Sequence, residues 1–164
     1  MVIHKEFPRL PLVLLLDGLY PRDPVFSICK NNNWRYIITL KDKNLKSVQE
    51  QIADKLLFKD YGKQNHLITD KTHWLKNDYK FFEKVEYKDY TLYVAETLFE
   101  KQHKLTEEKQ QIRFVHVTDI FLNKDNVHQV SEAGRLRWKI ENEGFNSQKN
   151  NGYMYKTGLL FLPG

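Results

Sequence analysis

The sequence predicts an α/β fold, a sheet packed between helices, and two observations carry this prediction. Two apolar runs, Leu12–Leu16 and Trp34–Leu40, are typical of strands that are covered on both faces. Each run is followed by a segment with helical signals. The resulting order of strand, helix, strand and helix is that of an α/β protein.

Length and composition limit what the chain can be. Its 164 residues are 41% hydrophobic and 13% aromatic, which fits one folded domain and excludes a disordered chain. No repeat or linker divides it, so residues 1–164 are predicted to form one domain. A lone cysteine, Cys29, excludes an intramolecular disulfide, and no apolar stretch approaches the ~20 residues that span a bilayer. We therefore expect a soluble cytoplasmic protein with no membrane partner.

The charge of the chain leaves its partner open. Twenty-six basic and 21 acidic residues give a net charge of +5. This modest excess permits binding to a phosphate backbone but is also common in proteins that bind no nucleic acid.

Two helices are predicted between and after the first strands. The first begins with Asp23 as N-cap and Pro24 as first helical residue, and it ends in Asn31–Asn33. The second covers residues 44–58. Its apolar residues recur at spacings of three and four and are Leu45, Val48, Ile52 and Leu56.

The next segment, residues 60–112, is polar and aromatic and predicts a β-rich insertion. Strands are expected at Phe81–Tyr87 and Tyr90–Val94, joined by a turn at Lys88–Asp89. Glu100–Gln111 is almost entirely polar and predicts a solvated connection. Ile112–Thr118 then returns to the apolar pattern of a core strand.

A last helix is predicted from Asn123 or Lys124 to about Lys149, with Asn123 as a candidate N-cap. Steps of three and four place five residues on one of its faces: Val127, Val130, Gly134, Arg137 and Glu141.

Two aspartates follow predicted strands. Asp17 directly follows the first apolar run, at the kind of strand end where α/β sheets bind ligands, so it is a candidate metal ligand or base. A turn or cap aspartate is the alternative. Asp119 follows the strand Ile112–Thr118, and a cap or turn beside the last helix is the stronger interpretation there.

The last helix carries the remaining candidates. Glu141 lies one turn after Arg137, which fits either a surface ion pair or a Mg²⁺ ligand beside a phosphate-binding arginine. Arg135, Arg137 and Lys139 form a basic cluster around Trp138, suited to DNA or simply solvated. The histidines lack zinc-site spacing, and no phosphate-binding glycine loop or hydrolase serine motif is present.

Two segments, Leu14–Tyr20 and Gly134–Asn146, resemble the DDE transposases of bacterial insertion sequences. The first resembles the strand with the second catalytic aspartate, and the second resembles the helix with the catalytic glutamate. Trp34–Lys41 and Phe114–Ile120 are also similar, and the resemblance extends from Phe7 to Tyr153.

This resemblance implies a ribonuclease-H-like fold, a mixed sheet flanked by helices with a β-rich insertion before the last catalytic helix. It also implies DNA cleavage and strand transfer with two Mg²⁺ ions, for which Mn²⁺ can substitute. Asp17 and Glu141 would be catalytic metal ligands. Arg137 would match a DNA-binding arginine of the family, and Lys149 would take the place of a lysine expected one position earlier. Arg135 and Lys139 join them as candidate DNA-binding residues because they belong to the basic cluster.

Three departures from the family pattern stand out. Gly134 stands where the family has a tyrosine. Gln148 stands where the family has a lysine, and in this chain a lysine, Lys149, comes one position later. The strand that carries the first aspartate is missing, so we expect a C-terminal part of the catalytic domain without its N-terminal strands. Such a part would be inactive alone. Its partners would be transposon ends, target DNA, a second copy or an intact transposase.

Two alternatives stay open. One is a non-catalytic DNA-binding or interaction module that regulates an intact transposase. The other is a small nuclease that uses Glu6 or Asp119 as its third carboxylate.

Overall fold

The computed structural model describes residues 10–139 and confirms an α/β fold with helices on both faces of one mixed sheet. The strands are β1 (Val13–Leu16), β2 (Arg35–Thr39), β3 (Gly62–Thr69), β4 (His73–Tyr87), β5 (Tyr90–His103) and β6 (Lys109–Thr118). The helices are α1 (Asp23–Asn31), α2 (Lys46–Leu57) and α3 (Val127–Lys139).

The six strands lie in the order β1-β2-β6-β5-β4-β3. β1 and β2 run parallel, with α1 as the crossover that a parallel pair requires. All other neighbours are antiparallel. As a result β1 forms one edge of the described sheet and β3 the other.

The sheet has a hydrophobic core on each face. On one face Ile38 and Val117 pack with Phe26 of α1 and Val48 of α2. On the other face Ile37 packs beneath α3, and it shares its core with Val127 and Val130 of that helix. Adjacent residues of β2 thus enter opposite cores, which explains why this segment is apolar without alternation.

The two early helices form where predicted, but the predicted N-cap is wrong. α1 begins at Asp23 itself, and the N-cap is Arg22, whose side chain makes no capping hydrogen bond. Asp23 instead forms an ion pair with Lys88 in the turn between β4 and β5. This contact joins residues far apart in the chain, so local capping rules could not predict it.

The β-rich character of residues 60–112 is confirmed, but the solvated connection at Glu100–Gln111 is wrong. β5 continues to His103 and β6 begins at Lys109, so most of this segment is a hairpin. Glu100 accepts a hydrogen bond from Gln111 at 2.6 Å and forms an ion pair with Lys109 at 2.8 Å. Polar side chains that pair across the two strands stabilise this hairpin, and no apolar face is needed. The hydrophobic pattern of the segment therefore does not reveal that it forms strands.

The last helix begins later than predicted, at Val127. The Asn123 side chain accepts hydrogen bonds from the N–H groups of Asp125 and Asn126, at 2.8 and 3.0 Å, and so stabilises the turn before α3. The predicted apolar face is confirmed through Gly134. The predicted end of the helix at Lys149 lies outside the described residues.

Gly134 allows α3 to lie close to the sheet. A Cβ atom at this position would lie 2.5 Å from Cδ2 of the buried His116 on β6. Glycine is therefore required here by the distance between helix and sheet.

We expect Gly134→Val to lower the free energy of unfolding by about 2 kcal/mol, since overpacking a core typically costs about 1–3 kcal/mol. Combining it with His116→Ala should recover part of that loss, and the exposed Leu136→Val should cost only about 0.5 kcal/mol. Urea unfolding of the four proteins measures these differences. Equal stability of Gly134→Val and the wild type would show that α3 does not approach the sheet so closely.

Candidate functional site

Asp17 lies at the carboxyl end of β1, one residue beyond the strand. Leu15 packs in the core beneath α3. Because side chains alternate along a strand, Asp17 belongs to the same face of the sheet as Leu15 and α3. This is the strand-end position that the sequence predicts for a ligand-binding carboxylate.

Local contacts fix the Asp17 carboxylate. The carboxylate accepts a hydrogen bond from the Gly18 N–H at 2.6 Å, and the backbone carbonyl of Asp17 accepts one from the Tyr20 N–H at 3.0 Å. The Nζ atom of Lys41, just beyond β2, lies 3.4 Å from the carboxylate. The side chain of Asp17 remains 24% exposed. Asp17 is therefore both a turn aspartate and an accessible carboxylate.

Asp119 lies at the opposite end of the sheet. It accepts hydrogen bonds from the Tyr36 N–H at 3.1 Å and from Arg35 Nη1 at 3.0 Å, at the beginning of β2. Because β6 runs antiparallel to β2, its carboxyl end lies beside the amino end of β2. The structure therefore does not bring Asp119 to Asp17 as a third carboxylate. Glu6, the other suggested third carboxylate, lies outside the described residues.

The described residues do not make a magnesium site by themselves. Mg²⁺ prefers carboxylate and other oxygen ligands, and within residues 10–139 no group of three acidic, histidine or cysteine side chains could hold a metal ion. Asp17 supplies one carboxylate, and the ammonium group of Lys41 lies beside it. Glu141, the other predicted ligand, lies outside the described residues.

The basic residues of the last helix lie in different surroundings. The Arg135 guanidinium lies 4.5 Å from the ring centre of Phe99 and 5.2 Å from that of Phe114, and it also bonds Glu132 at 2.9 Å. These contacts join α3 to β5 and β6. Arg137 is half-buried. Lys139 is the last residue of α3 that the structure describes, and Lys149 lies beyond it.

Two buried ionisable residues were not predicted from the sequence. Glu96 of β5 is 9% exposed, and His116 of β6 is 1% exposed. Burial, with a smaller contribution from the Arg135 charge, lowers the pKa of His116 from 6.5 to about 4. The alternation of apolar residues through Leu92 and Val94 would place Glu96 on an inward face, and this signal could have identified it.

Cys29 is unsuited to nucleophilic catalysis. It lies on the inner face of α1 and is completely buried in the core. Burial, and to a lesser extent the negative charge of Asp119, raises the pKa of its thiol to about 11. Because the thiolate is the nucleophile, this side chain is inert at neutral pH.

Comparisons with known proteins identify no relative. No protein-family model matches the chain, and neither a curated protein nor a solved structure matches it. Within residues 10–139, no helix is both long and apolar enough to cross a membrane. The interpretation of function therefore depends on the residues and their geometry.

We expect the chain to lose stability in mild acid because of His116. Its pKa is lower in the folded chain, so the unfolded chain binds this proton more readily. The stabilisation is complete above the unfolded pKa of 6.5 and is lost as the pH falls toward the folded value of about 4. Between pH 7 and pH 5 the loss should be about 2 kcal/mol.

Urea unfolding at pH 7, 6 and 5 measures this effect. His116→Leu should make the stability less dependent on pH, whereas His66→Gln, a change at a half-buried histidine of β3, should preserve the dependence. The same decline in His116→Leu as in the wild type would contradict the assignment.

Proposed function

We propose that this chain is a C-terminal part of the catalytic domain of a DDE transposase, with a ribonuclease-H-like fold, that binds DNA. The observation that carries the proposal is the position of Asp17. It lies at the carboxyl end of a strand in a parallel pair, on the face of the sheet that α3 covers. The sequence of α3 leads into Glu141, the other residue of the proposed pair of metal ligands.

The path of α3 supports this pairing. The helix packs against β1 and β2 as well as against the antiparallel strands. It therefore covers the strand at whose carboxyl end Asp17 lies. Glu141 follows two residues after Lys139, the last described residue of this helix.

The ion pair between Lys41 and Asp17 limits what the described residues can do alone. Lys41 provides a positive charge at the place where a metal ion would bind Asp17. Two-metal phosphoryl transfer needs several oxygen ligands around the ions, and the described residues supply one carboxylate here. DNA cleavage and strand transfer with Mg²⁺ or Mn²⁺ therefore require Glu141 and a further carboxylate. On its own the chain is expected to bind DNA without efficient cleavage.

A second candidate function is a non-catalytic module that binds DNA and regulates an intact transposase. The ion pair of Lys41 with Asp17 favours it, because the ammonium group lies where a metal ion would bind the carboxylate. Glu141→Gln separates the two functions. It should abolish any metal-dependent cleavage by a catalytic chain, whereas a binding module should keep or improve its DNA affinity because a negative charge is removed.

Plasmid nicking tests the proposed function. We expect the wild-type chain to retard duplex DNA at low salt, with an affinity that falls as salt rises, and to nick supercoiled plasmid negligibly with Mg²⁺ or Mn²⁺. Asp17→Asn and Glu141→Gln are the informative variants. Asp119→Asn is the matched control, because it removes a carboxylate at the opposite end of the sheet.

Two results would contradict this expectation. Metal-dependent nicking that Asp17→Asn and Glu141→Gln abolish, and Asp119→Asn preserves, would show that the chain assembles a complete metal site. A folded wild-type chain that does not bind DNA even at low salt would overturn the proposed function itself.

A further inference from the structure

A groove of about 530 Å³ lies across strands β3 to β6, on the sheet face that α1 and α2 cover closer to β1. Lys80, Glu96 and Arg113 lie two residues from Phe82, Val94 and Val115 of that core, and therefore share its face. We call this surface the basic groove. It is lined by Lys63, Gln64, Asn65, Asp78, Tyr79, Lys80, Glu96, Leu98 and Arg113.

A buried carboxylate organises the floor of the basic groove. Glu96 is 9% exposed, and its Oε1 atom lies 3.2 Å from Arg113 Nε and 3.6 Å from Lys80 Nζ. Its Oε2 atom is buried without a hydrogen-bond partner among the described residues. One carboxylate thus holds two cations in place, and the three side chains together carry one positive charge.

An aromatic ring brings a third cation to the same place. Lys63 Nζ lies 5.1 Å from the ring centre of Tyr61, and Lys80 Nζ lies 5.9 Å from it. Tyr61 packs on the buried Phe82, with ring centres 5.7 Å apart, so the ring is anchored to the core. Among the described residues no carboxylate forms an ion pair with Lys63. Two ammonium groups therefore converge on one ring, and Glu96 neutralises only part of their charge.

The charges that line the groove leave a positive surplus, because three cations, Lys63, Lys80 and Arg113, face two carboxylates, Glu96 and Asp78. Asp78 forms an ion pair with Lys76 at 2.7 Å, and Nη1 of Arg113 lies 3.6 Å from the exposed carboxylate of Asp42. Like charges held close together repel, and an anion that binds between them relieves the repulsion. The groove crosses four strands that are about 5 Å apart, so it is long enough to contact several phosphates of one nucleic-acid backbone.

We propose that the basic groove binds the phosphate backbone of DNA through Lys63, Lys80 and Arg113. This inference rests on the proposed function, because it takes DNA as the ligand. It assigns the contact to the sheet face opposite α3, where the sequence predicts no DNA-binding residue. Glu96 and Tyr61 act as positioning residues that hold the cations in place without touching the phosphate.

The test compares two charge-matched double variants. Lys63→Gln/Lys80→Gln removes two groove cations and keeps Arg113, so Glu96 stays paired. Lys30→Gln/Lys124→Gln removes two exposed cations elsewhere and is the control. Binding of a fluorescent 20-base-pair duplex is measured by anisotropy from 50 to 300 mM NaCl, and thermal unfolding of each variant shows that it is folded. If the groove variant unfolds, Lys63→Gln alone replaces it, with Lys124→Gln as its control.

The groove variant should bind DNA about 10-fold or more weakly near 100 mM salt, with a salt slope smaller by about 2, because each phosphate contact contributes about 0.9. For Lys63→Gln alone the slope should fall by about 0.9. The control should change affinity at most about 2-fold. If the wild type binds DNA and the groove variant matches its control, the basic groove is excluded while the proposed function stands. A wild type that does not bind DNA overturns both.

Inorganic phosphate distinguishes DNA from a small anion as the ligand. At constant ionic strength, 10 mM phosphate should displace little of the bound duplex, because one phosphate engages only part of the groove. Complete displacement by phosphate would show a small-anion site and would overturn the assignment to a DNA backbone.

Discussion

The parallel pairing of β1 with β2, with Leu14 opposite Tyr36 and Leu16 opposite Ile38, determines where the candidate residues lie. It places the end of β1, and therefore Asp17, beside Lys41 at the end of β2. On its other side β2 pairs antiparallel with β6, where Ile38 lies opposite Val117, and the two residues pack in the same core. Loss of the parallel pairing would separate Asp17 from Lys41 and would detach β1, one of the strands that α3 contacts, whereas β2 would stay paired with β6.

Local sequence patterns predicted the elements and positions that depend only on residues close together in the sequence. Both early strands, the turn at Lys88–Asp89 and the position of Asp17 at a strand end follow from such patterns, and the structure contains them. The place of Asp119 could not be predicted, because it depends on β6 running antiparallel to β2. The ladder at Glu100 was missed because its cross-strand pairs are polar, and sequence periodicity reports only the burial of apolar residues.

Gly134, which stands where the transposase pattern that this sequence resembles has a tyrosine, has a structural explanation. The glycine fits the short distance between α3 and His116, and Arg135 then packs on Phe99 and Phe114. Both contacts hold α3 on the sheet, and they leave less of the helix surface accessible to DNA. The cations that Glu96 and Tyr61 hold on the other face supply the alternative surface. Under the proposed function the two tasks are divided: metal would bind at Asp17, on what we call the metal edge, the carboxyl end of β1, and the backbone of DNA would bind in the basic groove.

Paramagnetic broadening by Mn²⁺ tests the central claim most directly, because it detects weak metal binding without any requirement for activity. Amide resonances of the ¹⁵N-labelled chain are recorded during a Mn²⁺ titration, for the wild type and for Asp17→Asn. We predict broadening centred on Gly18 and on the last turn of α3, and its loss in Asp17→Asn. Broadening centred on Asp119 or Asp70, or unchanged in Asp17→Asn, would contradict the assignment of the metal edge to the carboxyl end of β1.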